Sequence, residues 1–234
     1  MVTVTIRAKI DTGNLDERIR ALEENKDVAN DLRTMAAEMA ALRKELDALK
    51  AQTRSKSASP EKTNPALQEK EQETIRKMIT ADNIREAGIA VKKGNNKEAI
   101  ALLDPVLKEN PENFLARILL GSAYYKQGDL DRAETEIDRA IAIEPNAARA
   151  IALKGAIALN RGDNREAVHL TSQALRLKPD CRKCYLVRGY ALWRLKQGRR
   201  AYLNFKKACD MDLARACDMV RKIEARQKQK SQRQ

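Results

Sequence analysis

Apolar residues in the first quarter of the chain recur at alternating spacings of three and four. The series is Leu32, Met35, Met39, Leu42, Leu46 and Leu49. This spacing predicts a helix with one apolar stripe and a period of about 3.5 residues. Because the stripe needs an apolar partner, we expect residues 14–52 to form a coiled-coil helix that self-associates through 15–49. The alternative is an amphipathic helix folded back on the solenoid, the stack of helices that follows it in the same chain.

The segments on either side of this helix have other patterns. Apolar and polar residues alternate from Val2 to Ile10, so residues 1–13 are either strand-like or disordered. Residues 53–65 are polar, rich in serine and interrupted by prolines, which is typical of a linker. We expect this linker to separate the coiled-coil helix from the rest of the chain.

From about residue 80 onwards, small residues and prolines recur with a fixed period of 34 residues. Four series share this period: Gly94, Gly128 and Gly162; Ala99, Ala133, Ala167 and Ala201; Pro111, Pro145 and Pro179; Gly121, Gly155 and Gly189. Each period predicts two helices. Gly128 suits the turn between them because glycine tolerates a left-handed backbone, and Pro145 ends the second helix because it lacks an amide donor. The fixed period indicates a stacked array of helix hairpins.

The composition favours an all-α fold. Aromatic residues make up only 3% of the chain and there are six prolines. Alanine, leucine, lysine, arginine and glutamate are abundant, and these residues favour helices.

The most regular period resembles the tetratricopeptide repeat. The matching residues are Leu120, Gly121, Tyr124, Gly128, Ala133, Ala140 and Pro145. The resemblance implies a right-handed α-solenoid at 66–226, with repeats at 80–113, 114–147, 148–181 and 182–212 and a capping helix at 213–226. The fourth repeat departs from the pattern, with Lys196 at the usual turn glycine and Leu213 at the usual proline. The basic tail 227–234 has no apolar residue, so we expect it to be disordered.

The resemblance also implies a concave face that binds an extended or helical peptide. Residues offset from the glycines at 121, 155 and 189 would line it: Ile118, Ser122, Tyr125, Lys126, Arg149, Leu159, Lys183, Leu186, Tyr190, Trp193 and Arg194. The basic members favour an acidic ligand. The carboxylate clamp of chaperone-adaptor members is absent, because Ile84, Gly88, Ser122, Arg149 and Leu153 stand in its place.

The net charge is +13 and it is concentrated at one end. Residues 180–234 contain sixteen Lys or Arg against five Asp or Glu. This region could attach to nucleic acid or an anionic surface through Arg199, Arg200, Lys206, Lys207 and the tail from Arg221. No apolar run reaches the roughly 20 residues that cross a bilayer, and the start lacks a secretory signal. We therefore expect a cytoplasmic protein, or a periplasmic one if the chain is a mature form.

The four cysteines are the only reactive set in the sequence, and three interpretations stay open: free buried thiols, one or two disulfides, or a zinc site. Cys181 and Cys184 form a Cys-x-x-Cys pair. The spacing of Cys209 and Cys217 resembles cysteine-rich members of the related Sel-like repeat family, which implies a disulfide across a helix junction and an oxidising compartment. The zinc interpretation is weakest because the second pair has unsuitable spacing, and we expect no metal site.

Nothing in the sequence indicates an enzyme or a cofactor. There is no phosphate-binding glycine loop, no clustered acidic pair and no nucleophile served by the single histidine, His169. We expect a homo-oligomeric scaffold or adaptor that binds a protein partner. Its layout is similar to envelope coordinators that join a coiled coil to tetratricopeptide repeats. A secretion chaperone built on such repeats is a further alternative.

Overall fold

The computed structural model describes residues 26–56 and 65–231, and within these ranges it contains ten helices and no strand. The helices are α1 Lys26–Lys56, α2 Pro65–Lys93, α3 Asn96–Glu109, α4 Phe114–Gln127, α5 Leu130–Ile143, α6 Ala148–Arg161, α7 Asn164–Leu177, α8 Arg182–Arg194, α9 Gly198–Cys209 and α10 Ala214–Ser231. The predicted all-α fold is confirmed. The strand-like segment 1–13, residues 14–25 and most of the linker lie outside the described residues.

The chain divides into two compact units, Met1–Val106 and Leu107–Gln234. In the first unit, α1 packs against α2. Met39 and Leu46 of α1 are buried with Met78 of α2. The central part of the predicted stripe therefore contacts a helix of the same chain, as the fold-back alternative expects. Helix α1 also continues to Lys56, into the segment predicted as a linker.

The second unit contains three helix pairs, α4–α5, α6–α7 and α8–α9, followed by α10. Gly128 and Gly162 follow the first helix of their pairs with φ values of 85° and 95°. The amide of Gly128 donates to the carbonyls of Tyr124 and Tyr125, so the left-handed residue satisfies the helix end. Asp129 then caps α5 by accepting a hydrogen bond from the amide of Arg132.

The two helices of each pair approach closely at one glycine. A Cβ atom at Gly121 would lie 2.7 Å from Ile137, one at Gly155 would lie 2.9 Å from Thr171, and one at Gly189 would lie 2.7 Å from Phe205. The facing residues, at 137, 171 and 205, are fully buried. The series Gly121, Gly155 and Gly189 therefore marks the points where the two helices of each pair touch.

The last pair and α10 depart from the repeat. Helix α9 ends at Cys209, and Asp212 has a φ of 60° in the loop that follows. The amide of Leu213 donates to the carbonyl of Ala208 at 3.1 Å, which closes the helix end. Helix α10 continues to Ser231, so residues 227–231 are helical where the sequence predicts disorder. Ile223 of α10 is buried in a cluster with Leu192, Ala201 and Phe205.

Among the described residues, no helix combines the length and the apolar character that crossing a membrane requires.

Candidate partner-binding face

The predicted groove residues all lie on α4, α6 and α8, the first helices of the three pairs. We call their partly or fully exposed members the first-helix face: Ser122, Tyr125, Lys126, Arg149, Ala152, Ala156, Lys183, Leu186, Tyr190, Trp193 and Arg194. Ala152 and Ala156 join the set because they are partly exposed at the positions equivalent to Leu186 and Tyr190.

Two predicted groove residues are buried instead. Ile118 is 0% exposed and packs with Ile137 of α5 and Ile157 of α6. Leu159 is 7% exposed and belongs to the core cluster that contains Leu170 and Ala174 of α7. Both predictions were wrong, because a first helix contacts its own second helix and also the next pair. A large aliphatic side chain at the border of these contacts is drawn into the core.

The three aromatic side chains of this face, those of Tyr125, Tyr190 and Trp193, are half buried. Tyr190 packs edge-on against Phe205, with ring centroids 5.1 Å apart and an interplanar angle of 71°. Trp193 packs against the cluster that contains Phe205 and Ile223. Each ring therefore serves the core with one part and presents another part at the surface.

The C-terminal ends of the first helices are joined to one another. Arg194 of α8 donates from Nη1 to the carbonyl oxygen of Leu159 on α6 at 2.5 Å. Tyr125 of α4 forms a hydrogen bond with Asn160 of α6. Burial raises the pKa of Tyr125, while that hydrogen bond and the positive charge of Arg215 oppose the shift.

The three first helices have a one-sided charge. Together α4, α6 and α8 contain nine Lys or Arg and no Asp or Glu. Some of these cations bind acidic groups of α5: Lys154 contacts Asp138 at 2.7 Å, and Arg161 contacts Asp131 and Glu134. Four others, Lys126, Arg149, Lys183 and Arg194, belong to the first-helix face. Burial lowers the pKa of Lys126.

One buried ion pair was not predicted. Glu136 of α5 is 8% exposed and accepts hydrogen bonds from Arg117 of α4 at 2.5 Å and Arg139 at 2.8 Å. The equivalent positions one period later are the apolar Ile151 and Leu170. The exchange of an ion pair for an apolar pair at one repeat position is the sequence signal that could have identified it.

Both cysteine pairs are bonded. Cys181 is linked to Cys184 with a Cα–Cα distance of 5.3 Å, and Cys209 is linked to Cys217 with a Cα–Cα distance of 4.7 Å. The first bond lies at the N-terminus of α8, and the second connects the end of α9 to the first turn of α10. Sulfur atoms committed to these bonds are not thiolate ligands for zinc.

Two other predicted features are exposed. His169 lies on α7, and its side chain is 67% exposed and 3.9 Å from Glu166. The basic residues Arg199, Arg200, Lys206 and Lys207 are exposed on α9. In the described ranges, no group of three or more His, Cys, Asp or Glu side chains could hold a metal ion.

Comparison with known proteins gives the same repeat family in two overlapping stretches. Family models described as tetratricopeptide repeat match residues 90–157 and 153–210. Cellulose synthase operon protein C of Pseudomonas fluorescens (strain SBW25) is 31% identical over 85 residues. That match covers 36% of this chain and 7% of the other protein, so the chain spans a small part of this relative's length.

Solved structures with the same fold have little sequence identity to this chain. MamA 41-end from Desulfovibrio magneticus RS-1 matches with a TM-score of 0.54 and 20% identity, over 64% of this chain and 86% of that chain. PilF of Pseudomonas aeruginosa matches with a TM-score of 0.53 and 20% identity, over 58% of this chain and 62% of that chain. At this identity the comparison establishes the fold.

Proposed function

Because the chain belongs to the tetratricopeptide-repeat family, we propose that it is a non-catalytic adaptor that binds an acidic protein or peptide through the first-helix face. A protein-protein interaction scaffold is the function that the repeats and the fold support. We infer the acidic character of the partner and the use of this face from the charge and exposure of the residues on it.

The one-sided charge of α4, α6 and α8 is the observation that carries the proposal. Nine cations and no acidic residue lie on three helices that are equivalent in the repeat. Acidic groups of α5 contact three of these cations, Arg117, Lys154 and Arg161. The first-helix face carries four cations on the same helices as the half-exposed rings of Tyr125, Tyr190 and Trp193. A partner with carboxylates and a few apolar side chains would match it.

The experiment is a charge reversal on this face with a matched control. The test variant carries Lys126→Glu, Arg149→Glu and Lys183→Glu. The control carries Lys108→Glu, Arg165→Glu and Arg176→Glu, which change the net charge equally on exposed positions of α3 and α7. Each immobilised chain is incubated with an extract of its native source, and the retained proteins are quantified by mass spectrometry.

We expect the test variant to lose specific partners by about tenfold or more, since each reversal replaces an attraction with a repulsion. The control variant should retain them. If both variants retain the partners equally, the first-helix face is not the binding site. If both lose them equally, the partners bind through net charge and not through this face. The single tryptophan serves as a check that the second unit is folded in every variant.

The adaptor does not require self-association through α1. The central residues of the predicted stripe already pack against α2 of the same chain. Assembly through residues 15–49 stays a prediction, and the mass of the full chain in solution decides it.

Attachment to an anionic surface is the second candidate. It rests on the cations of α9 and on Leu203, which is 57% exposed among them. Binding of this kind releases counterions, so the affinity for a nucleic acid should fall steeply as salt is raised. The double variant with Arg199→Glu and Arg200→Glu should lose this salt-dependent affinity for the nucleic acid. An affinity independent of salt would eliminate this candidate.

A further inference from the structure

The bond between Cys181 and Cys184 has a feature that partner binding does not use. Cys181 is the N-cap residue of α8, and Cys184 lies in the first turn of that helix. Cys181 is partly exposed at the edge of a core cluster, whereas Cys184 is 1% exposed and lies inside that cluster with Ala167 and Leu175. The pair therefore offers one residue that a reactant can reach and one that is shielded.

The N-terminus of α8 is placed to stabilise a negative charge on the sulfur of Cys181 once the bond opens. The backbone amide of Cys184 donates a hydrogen bond to Sγ of Cys181 at 3.2 Å. Unpaired amides give a helix N-terminus a partial positive charge, which lowers the pKa of a cysteine placed there. Arg182 and Lys183 add positive charge in the same turn, and the exposed Asp180 opposes them. On opening of the bond, Cys181 is thus the better of the two thiolates.

Backbone hydrogen bonds hold this turn in addition to the disulfide. The amides of Cys184 and Tyr185 donate to the carbonyl of Cys181 at 3.0 Å and 3.3 Å. We therefore expect the turn to keep its conformation when the bond opens. The bond between Cys209 and Cys217 differs, because it joins two helices across the loop that contains Asp212.

We propose that Cys181–Cys184 is a redox-active disulfide that oxidises a dithiol, and that Cys209–Cys217 is structural. A thiolate of the dithiol attacks Sγ of Cys181, a mixed disulfide forms, and the sulfur of Cys184 leaves and takes up a proton. The second thiolate of the dithiol then attacks the first sulfur of its own molecule and releases the Cys181 thiolate. Two electrons pass from the dithiol to the protein, and the dithiol becomes a disulfide.

Redox equilibration of the unmodified full chain is the first test. The protein is held in glutathione buffers of graded ratio, quenched with acid and alkylated, and each cysteine is followed by mass spectrometry. We expect Cys181–Cys184 to open with an equilibrium constant at least tenfold more favourable than that of Cys209–Cys217, which corresponds to about 30 mV. Tryptophan fluorescence should stay native at that stage. Simultaneous opening of both bonds, or earlier opening of Cys209–Cys217, would overturn the proposal.

A second measurement identifies the nucleophile. Cys184→Ser leaves Cys181 as the single free thiol, and Cys181→Ser leaves Cys184, each beside the intact second disulfide. At pH 6 we expect iodoacetamide to modify Cys181 at least tenfold faster than Cys184. Equal rates, or a faster reaction of Cys184, would contradict the assigned roles. If a variant fails to fold, the equilibration of the unmodified chain still decides.

Discussion

At the scale of single residues, one turn position is filled in two ways. Gly128 and Gly162 adopt φ values of 85° and 95°, and Lys196 adopts 59° at the equivalent position of the last pair. A left-handed backbone costs a residue with a Cβ atom about 1–2 kcal/mol, which glycine avoids. The fourth repeat therefore keeps the turn of the others although it lacks their glycine.

Replacing Lys196 by glycine should stabilise the second unit. We expect Lys196→Gly to raise the free energy of unfolding by about 0.5–1 kcal/mol, because relief of strain exceeds the added entropy of the unfolded chain. Fluorescence of Trp193 during urea denaturation is the measurement. Lys207→Gly is the control. Because Lys207 lies inside α9, this change should lower the free energy of unfolding by about 1 kcal/mol. Destabilisation by both variants would show that Lys196 is not strained.

The close approach at Gly189 gives the opposite expectation. A methyl group there would lie 2.7 Å from two atoms of the buried Phe205 ring. We expect Gly189→Ala to lower the free energy of unfolding by about 1–3 kcal/mol, which outweighs the helix propensity of alanine. Gly198→Ala is the matched control because no atom lies within 4 Å of its added Cβ. The same melting temperature for both variants would mean that the helices can separate without cost.

At the scale of elements, an apolar stripe identifies a helix but not its partner. The spacing of Met39, Leu42 and Leu46 correctly predicted a helix, and it fits a second chain as well as α2. Ile75, Met78 and Ala81 provide the matching face within the same unit. Nothing in the stripe itself distinguishes these alternatives.

Leu46→Asp separates the two arrangements experimentally. Leu46 is 8% exposed, so a carboxylate there must be desolvated or the helices must part. We expect amide hydrogens of α1 and α2 to lose protection, with no change in the mass measured by sedimentation equilibrium. Lys44→Asp, at an exposed position of the same helix, should leave both unchanged. A fall in mass would mean that the stripe joins separate chains.

At the scale of the whole molecule, charge is distributed unevenly along the sequence. Residues 1–52 are close to neutral, whereas residues 180–234 contain sixteen Lys or Arg against five Asp or Glu. A field of one sign attracts an oppositely charged partner before contact. The rate of association with an acidic partner should therefore depend on the salt concentration.

Once an acidic partner has been captured, its association rate should fall as salt is raised. We expect a decrease of at least about tenfold between 50 and 300 mM salt, with a smaller change in the dissociation rate. The variant with Lys126, Arg149 and Lys183 changed to glutamate should lose most of this dependence. Stopped-flow fluorescence is the measurement, and a rate independent of salt would contradict electrostatic attraction.

The repeat made most of the second unit predictable, and the candidate site only in part. Glycines, alanines and a terminal proline fix the order of two helices and a turn, because each has a local steric role. The burial of Ile118 depends on two neighbouring helices at once, so its own spacing could not reveal it. The hydrogen bond from Arg194 to the carbonyl oxygen of Leu159 joins positions 35 residues apart in sequence. Only the stacked structure brings them together.

Site-specific photocrosslinking shows directly whether a partner binds at the first-helix face. A photoreactive phenylalanine is placed at Ala156, in the middle of the first-helix face, and in a second variant at His169, which is exposed on α7. We expect position 156 to crosslink to an acidic segment of a partner in the native source, and position 169 not to do so. Crosslinks from 169 with none from 156 would show that the partner binds elsewhere.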